Sequence, residues 1–268
     1  MTAMSARTEE QAEVVRWDGA VSGTRGDTLA PEDPLEIRLA GRALTVTMRS
    51  PGHDDELAVG LLYAQDMLRH RSEIESLETD PTQANRIDVH LSTAVGSAER
   101  WRRYTYASSS CGLCGVESLD ALVLNAPPVT AEIRVQAATL YALPDRLREA
   151  QDGFGATGGT HAAGLFDAKG RLLAAREDVG RHNAVDKVIG RALLDGLMPL
   201  DEIVLMVSGR VSYEIVQKAL AARLPIVAAV SAPTDLAVRV AQEHGMTLVG
   251  FLRGERMNVY SHPQRIVA

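Results

Sequence analysis

Two short stretches alternate apolar and polar residues on either side of Ala40-Gly41-Arg42: Leu35-Glu-Ile-Arg-Leu39 and Leu44-Thr-Val-Thr-Met48. That pattern predicts a β-hairpin. Asp54, Asp55 and Glu56 suit the first turn of a helix, and Leu57, Leu61, Ala64 and Leu68 follow at helical spacing. Residues 78–86 are polar and read as a loop, with candidate strands at Ile87–Leu91 and Trp101–Ala107. Val135–Ala150 predicts a helix that ends before the glycine-rich segment Gly153–His161. Ala162–Phe166 and Arg171–Ala175 flank Asp167-Ala-Lys-Gly170, a second hairpin signal. Helix is expected again over Asp178–Gly196, with Val185, Val188, Ile189, Ala192 and Leu193 as one stripe and Gly196 as the stop.

Beyond residue 200 strands and helices alternate. Ile203–Val207 and Ile226–Val230 are unbroken apolar runs, as strands buried on both faces should be. Helices are expected at Ser212–Ala222 and Thr234–His244, a third strand at Thr247–Leu252 and a short last one at Met257–Tyr260. This βαβαβ order predicts a parallel or mixed sheet with helices packed on it. Ligands of such sheets sit beyond the carboxyl ends of the strands. Those ends read Ser208-Gly209-Arg210, Ser231-Ala-Pro-Thr-Asp235 and Arg253-Gly254-Glu255-Arg256, which is material for holding an anion.

Composition narrows the function classes. The net charge is −7 and the pI about 5.5, which argues against nucleic-acid binding. Residues 1–13 carry Glu9, Glu10 and Glu13 and no apolar run, so they read as a solvated, disordered tail and not as a signal peptide. No apolar stretch is long enough to span a bilayer. The expectation is a cytoplasmic protein with reduced thiols.

The only two cysteines of the 268 residues form Cys111-Gly-Leu-Cys114, after Ser108, Ser109 and Ser110 and before a helix-like stretch, Val116–Val123. A helix N-terminus lowers a thiol pKa, and the thiolate is the reactive form. Four readings stand: half a zinc site, a redox dithiol, a sulfur carrier, or core packing. Zinc needs further ligands, for which His161 and His182 are the candidates. A zinc-dependent deaminase would carry His-x-Glu and a proline before the first cysteine, and neither is present. Sulfur transfer needs an accessible thiolate that attacks a donor persulfide, and a second thiol that later releases sulfide. Thr157-Gly-Gly-Thr-His161 reads as a phosphate cradle or as a plain glycine-rich turn. Asp178 is a candidate cap for the following helix, where Arg181, His182 and Asn183 crowd together ahead of Asp186 and Lys187. Arg49, Arg253 and Arg256 carry meaning only if they converge in space.

Seven stretches, in order, resemble one family, the formate dehydrogenase accessory sulfurtransferases or FdhD family. They are Arg49-Ser-Pro-Gly-His-Asp-Asp-Glu-Leu-Ala58, Ser109-Ser-Cys-Gly-Leu-Cys-Gly115, Thr157-Gly-Gly-Thr-His-Ala-Ala163, Arg176–Val188, Val207–Ile215, Val230–Ala237 and Val249–Arg256. The resemblance implies a cytidine-deaminase-like mixed α/β sheet flanked by helices, with an N-terminal β-hairpin and helix region at 14–110 and the α/β core at 111–268, or one domain over 14–268. It implies a sulfurtransferase, a persulfide carrier that accepts sulfur from a cysteine desulfurase. The sulfur then goes to the molybdenum bis(molybdopterin guanine dinucleotide) cofactor required by formate dehydrogenase. On this resemblance Cys111 and Cys114 are the catalytic pair, with Cys111 preferred as carrier. Phe251, Leu252, Arg253, Gly254, Glu255 and Arg256 contact the cofactor, with Gly158, Gly159, His161, Ser208, Gly209 and Arg210 as further contacts. The cofactor is the bound substrate, no permanent metal is expected, and a homodimer is. Two rivals remain: a chaperone that binds cofactor without covalent sulfur chemistry, and a zinc-dependent enzyme of the deaminase type.

Overall fold

The computed structural model describes residues 10–79, 84–92 and 128–268. Its centre is a six-stranded mixed sheet built from β8 (His161–Asp167), β9 (Leu172–Asp178), β10 (Ile203–Val207), β11 (Ile226–Ala229), β12 (Thr247–Arg253) and β13 (Arg256–Ser261). The strand order is β13-β12-β11-β10-β8-β9, with β10, β11 and β12 parallel and the outer pairs antiparallel. The unbroken apolar runs have a direct cause. Val204 and Met206 join one buried cluster with Leu140, Leu143 and Leu147 of α2 (Ala137–Glu149). Leu205 and Val207 join the other, with Val185, Val188 and Ile189 of α4 (Arg181–Leu194) and Ile215 and Ala219 of α5 (Tyr213–Ala221). Both sheet faces are covered, so neither parity of residue can be polar. Ala237 and Ala241 of α6 (Asp235–Glu243) complete the second layer.

A four-stranded sheet precedes this core: β3 (Asp33–Leu39), β4 (Arg42–Arg49), β5 (Ile74–Thr79) and β6 (Arg86–Leu91), ordered β4-β3-β6-β5. Leu35, Ile37, Leu39, Ile87 and Val89 bury against Leu57, Leu61 and Leu62 of α1 (Asp54–Ala64). The other side of α1 crosses α4 at two glycines. A Cβ on Gly60 would lie 1.9 Å from the Asp186 carbonyl oxygen, and one on Gly190 would lie 1.9 Å from the Glu56 carbonyl oxygen. The two helix backbones therefore touch, and the small sheet is fastened to the large one through that crossing.

Several expectations need correction. Residues 10–13 are not tail: β1 (Glu10–Asp18) pairs antiparallel with β2 (Val21–Leu29) in a separate two-stranded hairpin. The glutamates there are exposed strand residues, and Val15 and Trp17, on the same face as Glu13, are 62% and 69% exposed. Helix α1 stops at Ala64, so Leu68 is buried outside it. Val135 does not start α2; β7 (Val135–Gln136) pairs in parallel with β14 (Ile266–Val267). Residues 78, 79 and 86 belong to strands. Asp152–Thr157 is a short helix, α3, where only glycine-rich chain was expected. The expected strand at Trp101–Ala107, the boundary at 110–111 and the cysteine pair lie outside the described residues.

Candidate functional site

The strand directions gather the candidate residues on one edge. Ala163 of β8 lies opposite Val207 of β10, so His161, at the start of β8, sits at the carboxyl end of β10. Asp178 pairs with His161, which places the N-terminus of α4 on the same edge. The turns after β10, β11 and β12 are stitched together here. Val211 bridges to Pro233, the Phe251 N–H donates to the Ser231 carbonyl (3.1 Å), and Arg253 Nε donates to the Val230 carbonyl (3.1 Å). Thr234 caps α6, its hydroxyl accepting from the Ala237 N–H (3.3 Å).

At the centre stand His161, Arg181, His182, Gly209 and Arg210. Gly209 is buried against this group: a Cβ there would lie 3.3 Å from His161 Nδ1 and 3.7 Å from the Arg181 Cβ. Ser208 holds the turn, its Oγ accepting the Ala162 N–H at 2.9 Å. His182 Nε2 is 3.1 Å from Ser212 Oγ and 3.8 Å from a Glu214 carboxylate oxygen. Arg181 Nε is buried without a hydrogen-bond partner among the described residues. Burial, then the Arg181 and Arg210 guanidinium groups, hold the His161 pKa below its ordinary value. Burial first, then Arg181 and Lys218, push His182 down to about 4 against the pull of Glu214. Both imidazoles are neutral near pH 7. Burial is the largest influence on Glu214 and acts upward, but Ser212, its own backbone N–H, His182 and Arg181 together leave it lowered. Two arginines and a helix N-terminus thus share a small volume with two uncharged imidazoles, an arrangement that favours an anion.

The depressed His182 has a consequence for stability. Its folded pKa lies below the unfolded value, so the unfolded chain binds the proton first as pH falls. Stability should therefore be full above about pH 6.5 and decline toward pH 4, by roughly 1–3 kcal/mol from this group. Urea titrations of the parent and of His182→Gln at pH 7 and pH 5 check this; the gap between the two pH values should shrink in the variant.

The remaining candidates fall into three groups. Phe251, Arg253, Gly254, Glu255 and Arg256 are exposed on the same sheet edge, two strands from β10 and so about 10 Å away across the sheet. Phe251 has φ +52° and projects with 44% exposure. Leu252 is the exception: it is fully buried among Phe166, Val204 and Val249, so its side chain serves the core. Gly158 and Gly159 precede His161 on this edge, but their N–H groups are already used, donating to the Phe154 carbonyl (2.8 Å) and to Thr157 Oγ1 (3.1 Å). Neither cradles a ligand: Gly158 faces open space, while Gly159 packs against Ala30, whose Cβ would lie 2.9 Å from a Cβ placed there. Cys111 and Cys114 lie outside the described residues.

Arg49 does not join Arg253 and Arg256. It is 2% exposed, and Nε and Nη2 each meet Asp54 at 2.8 Å. Asp178 ends β9 and caps nothing; Gly180 stands at the helix start. The Asp178 carboxylate instead meets Lys187 Nζ (2.7 Å) and accepts from Ser50 N–H, Gly180 N–H and Asn183 Nδ2. Asn183 also donates to the Met48 carbonyl, and Lys187 to the Ser50 carbonyl. Glu56 takes Arg176 in a two-pronged pair at 2.5 and 2.6 Å, and Asp186 takes Lys218 at 2.7 Å. The motif residues of Arg49–Glu56 and Arg176–Lys187 thus build a buried polar seam between the small sheet and α4, directly behind the candidate site. Arg181 is the site residue the sequence left unassigned; its only signal was the crowding with His182 and Asn183.

The chain can be compared with known proteins on this basis. Residues 30–267 match the model of the FdhD/NarQ family. A protein of Streptomyces avermitilis named "Sulfur carrier protein FdhD" is 49% identical, the match covering 97% of this chain and 96% of that one. A protein of the same name from Saccharolobus solfataricus is 39% identical over 95% and 96%. The crystal structure of a protein described as a formate dehydrogenase accessory protein, from Desulfotalea psychrophila, superimposes with a TM-score of 0.78 at 25% identity. It covers 97% of this chain and 99% of that one. With a family model spanning almost all of the described core and relatives this similar over their whole length, the chain belongs to the FdhD/NarQ family.

Proposed function

We propose that this chain is a sulfur carrier for formate dehydrogenase, moving persulfide sulfur from a cysteine desulfurase to the molybdenum bis(molybdopterin guanine dinucleotide) cofactor. The observation that carries this reading is near-full-length similarity to relatives named as sulfur carriers. The cation-rich carboxyl edge supports it, because a cofactor with two dinucleotide arms is anionic. Arg253, Arg256, Arg181 and Arg210 meet its phosphates, Phe251 offers an exposed ring, and His161 stays neutral beside them. The setting is the cytosol, where thiols remain reduced. No described helix is long and apolar enough to cross a membrane.

The chemistry balances with two thiols. The Cys111 thiolate attacks the terminal sulfur of the donor persulfide, and the desulfurase thiolate leaves. Cys114 then attacks Cys111, expelling hydrosulfide for the cofactor and leaving a Cys111–Cys114 disulfide; the two thiols supply the two electrons. The family expectation of a homodimer belongs to the same reading. The face of the β1–β2 hairpin that bears Val15 and Trp17 supports it, since Ser22, Thr24 and Gly26 lie opposite and Glu13 is its one charge.

The reading is tested by producing a formate dehydrogenase in a strain that lacks its own carrier of this family. The parent chain should restore activity; Cys111→Ala and the double variant Arg253→Ala/Arg256→Ala should not. A cofactor chaperone would tolerate the cysteine change, and that outcome sinks the carrier reading. A narrower expectation concerns Arg181. Removing a charged donor to phosphate costs about 1.5–3 kcal/mol, so Arg181→Ala should weaken GDP binding roughly tenfold or more, read by calorimetry.

A further inference from the structure

We infer that Glu177 is a positioning residue of the candidate site, its carboxylate fixing the segment from Gly153 to Thr160 as a rigid, side-chain-poor wall immediately before His161. The inference rests on the reading that this edge takes a guanine dinucleotide. Three donors from that segment converge on Glu177. The Gly153 N–H reaches Oε2 at 2.8 Å, and the Phe154 N–H and the Thr160 hydroxyl reach Oε1 at 2.7 and 2.6 Å. The approach is close at Gly153, where a Cβ would lie 3.2 Å from Oε2.

The segment then closes on itself. Thr157 Oγ1 donates to the Gly153 carbonyl (2.7 Å) and accepts from the Gly159 N–H. The Arg148 guanidinium lies over the Phe154 ring, 4.5 Å from its centre. Gly158 ends α3 at φ +68°, with nothing within 4 Å of where a Cβ would be, so the wall presents open space on that side. Glu177 pairs with Ala162 across β8 and β9, one residue from the His161–Asp178 pair. One carboxylate thus ties β9 to the chain entering β8. Its oxygens are spent on three donors, so it orients the wall and does not touch the ligand. Glutamine cannot substitute: its amide nitrogen would face an N–H donor, leaving both groups unpaired.

The test compares full-length parent, Glu177→Gln and Thr160→Val for GDP binding by calorimetry. Sulfur loading from a desulfurase and the unfolding temperature are read on the same samples. Glu177→Gln should raise the GDP Kd about tenfold or more while loading stays within about twofold of the parent. Thr160→Val, which removes one of the three bonds, should raise it about threefold and serves if the first variant does not fold. If the parent binds GDP and both variants match it, the positioning role is wrong. It is equally wrong if binding and loading fall together with the unfolding temperature, since that marks a general structural role. If the parent itself does not bind GDP, the dinucleotide reading fails and takes this inference with it.

Discussion

Gly190→Ala is expected to yield no native protein. The added methyl would sit 1.9 Å from the Glu56 carbonyl oxygen, on the backbone of a neighbouring helix that cannot swing aside as a side chain can. Relief requires α1 and α4 to separate by more than 1 Å, roughly, along a seam whose interior is close-packed. Separation would open the Leu57–Leu62 cluster on one side and the polar seam on the other. Overpacking commonly costs about 1–3 kcal/mol, and more when the backbone must move; whole-domain stability is only about 5–15 kcal/mol. Gly60→Ala should behave alike, its methyl meeting the Asp186 carbonyl oxygen at 1.9 Å. Gly26→Ala, with nothing within 4 Å, is the control and should fold normally. Near-UV circular dichroism and soluble yield of the three variants decide the matter. A folded Gly190→Ala protein would mean the helices do not cross at these glycines.

Asp178→Ala should produce the next largest loss. It strips Lys187, 1% exposed, of its charge partner and leaves donors from Ser50, Gly180 and Asn183 unpaired. Breaking a buried pair by removing one partner costs about 3–5 kcal/mol. The sign of the second substitution discriminates cause: adding Lys187→Met to Asp178→Ala should recover part of the loss, because no buried charge is then left alone. Urea unfolding of the single and double variants gives the coupling. Because the N-terminus of α4 is held by this seam, GDP affinity should fall in Asp178→Ala even at temperatures where the protein remains folded.

The strand–helix alternation after residue 200 was legible because strands covered on both faces must be apolar throughout, and the helices between them must be striped. The first hairpin was legible for a related reason, one face of β3 being core. What escaped notice follows other physics. The β1–β2 hairpin buries almost nothing, so its residues carry no strong pattern, and its glutamates read as solvated tail. On β4, Thr47 and Arg49 point inward while Val46 and Met48 are exposed, the reverse of a burial pattern. Arg49 is inside because Asp54, five residues on, is there to pair with it. The α1–α4 crossing rests on two glycines whose role appears only when the helices are laid together. The site shows the same division. Its edge could be placed from strand order alone, but β8 running antiparallel to β10 is what brings Arg181 in, while Leu252 is out because it is buried in the core and Arg49 because it pairs with Asp54.

The most direct test of the account is the intact mass of the full-length protein after incubation with a cysteine desulfurase and cysteine. The parent should gain the mass of one sulfur atom, removable by a thiol reductant, and Cys111→Ala should gain none. Sulfur uptake by Cys111→Ala equal to that of the parent would contradict it.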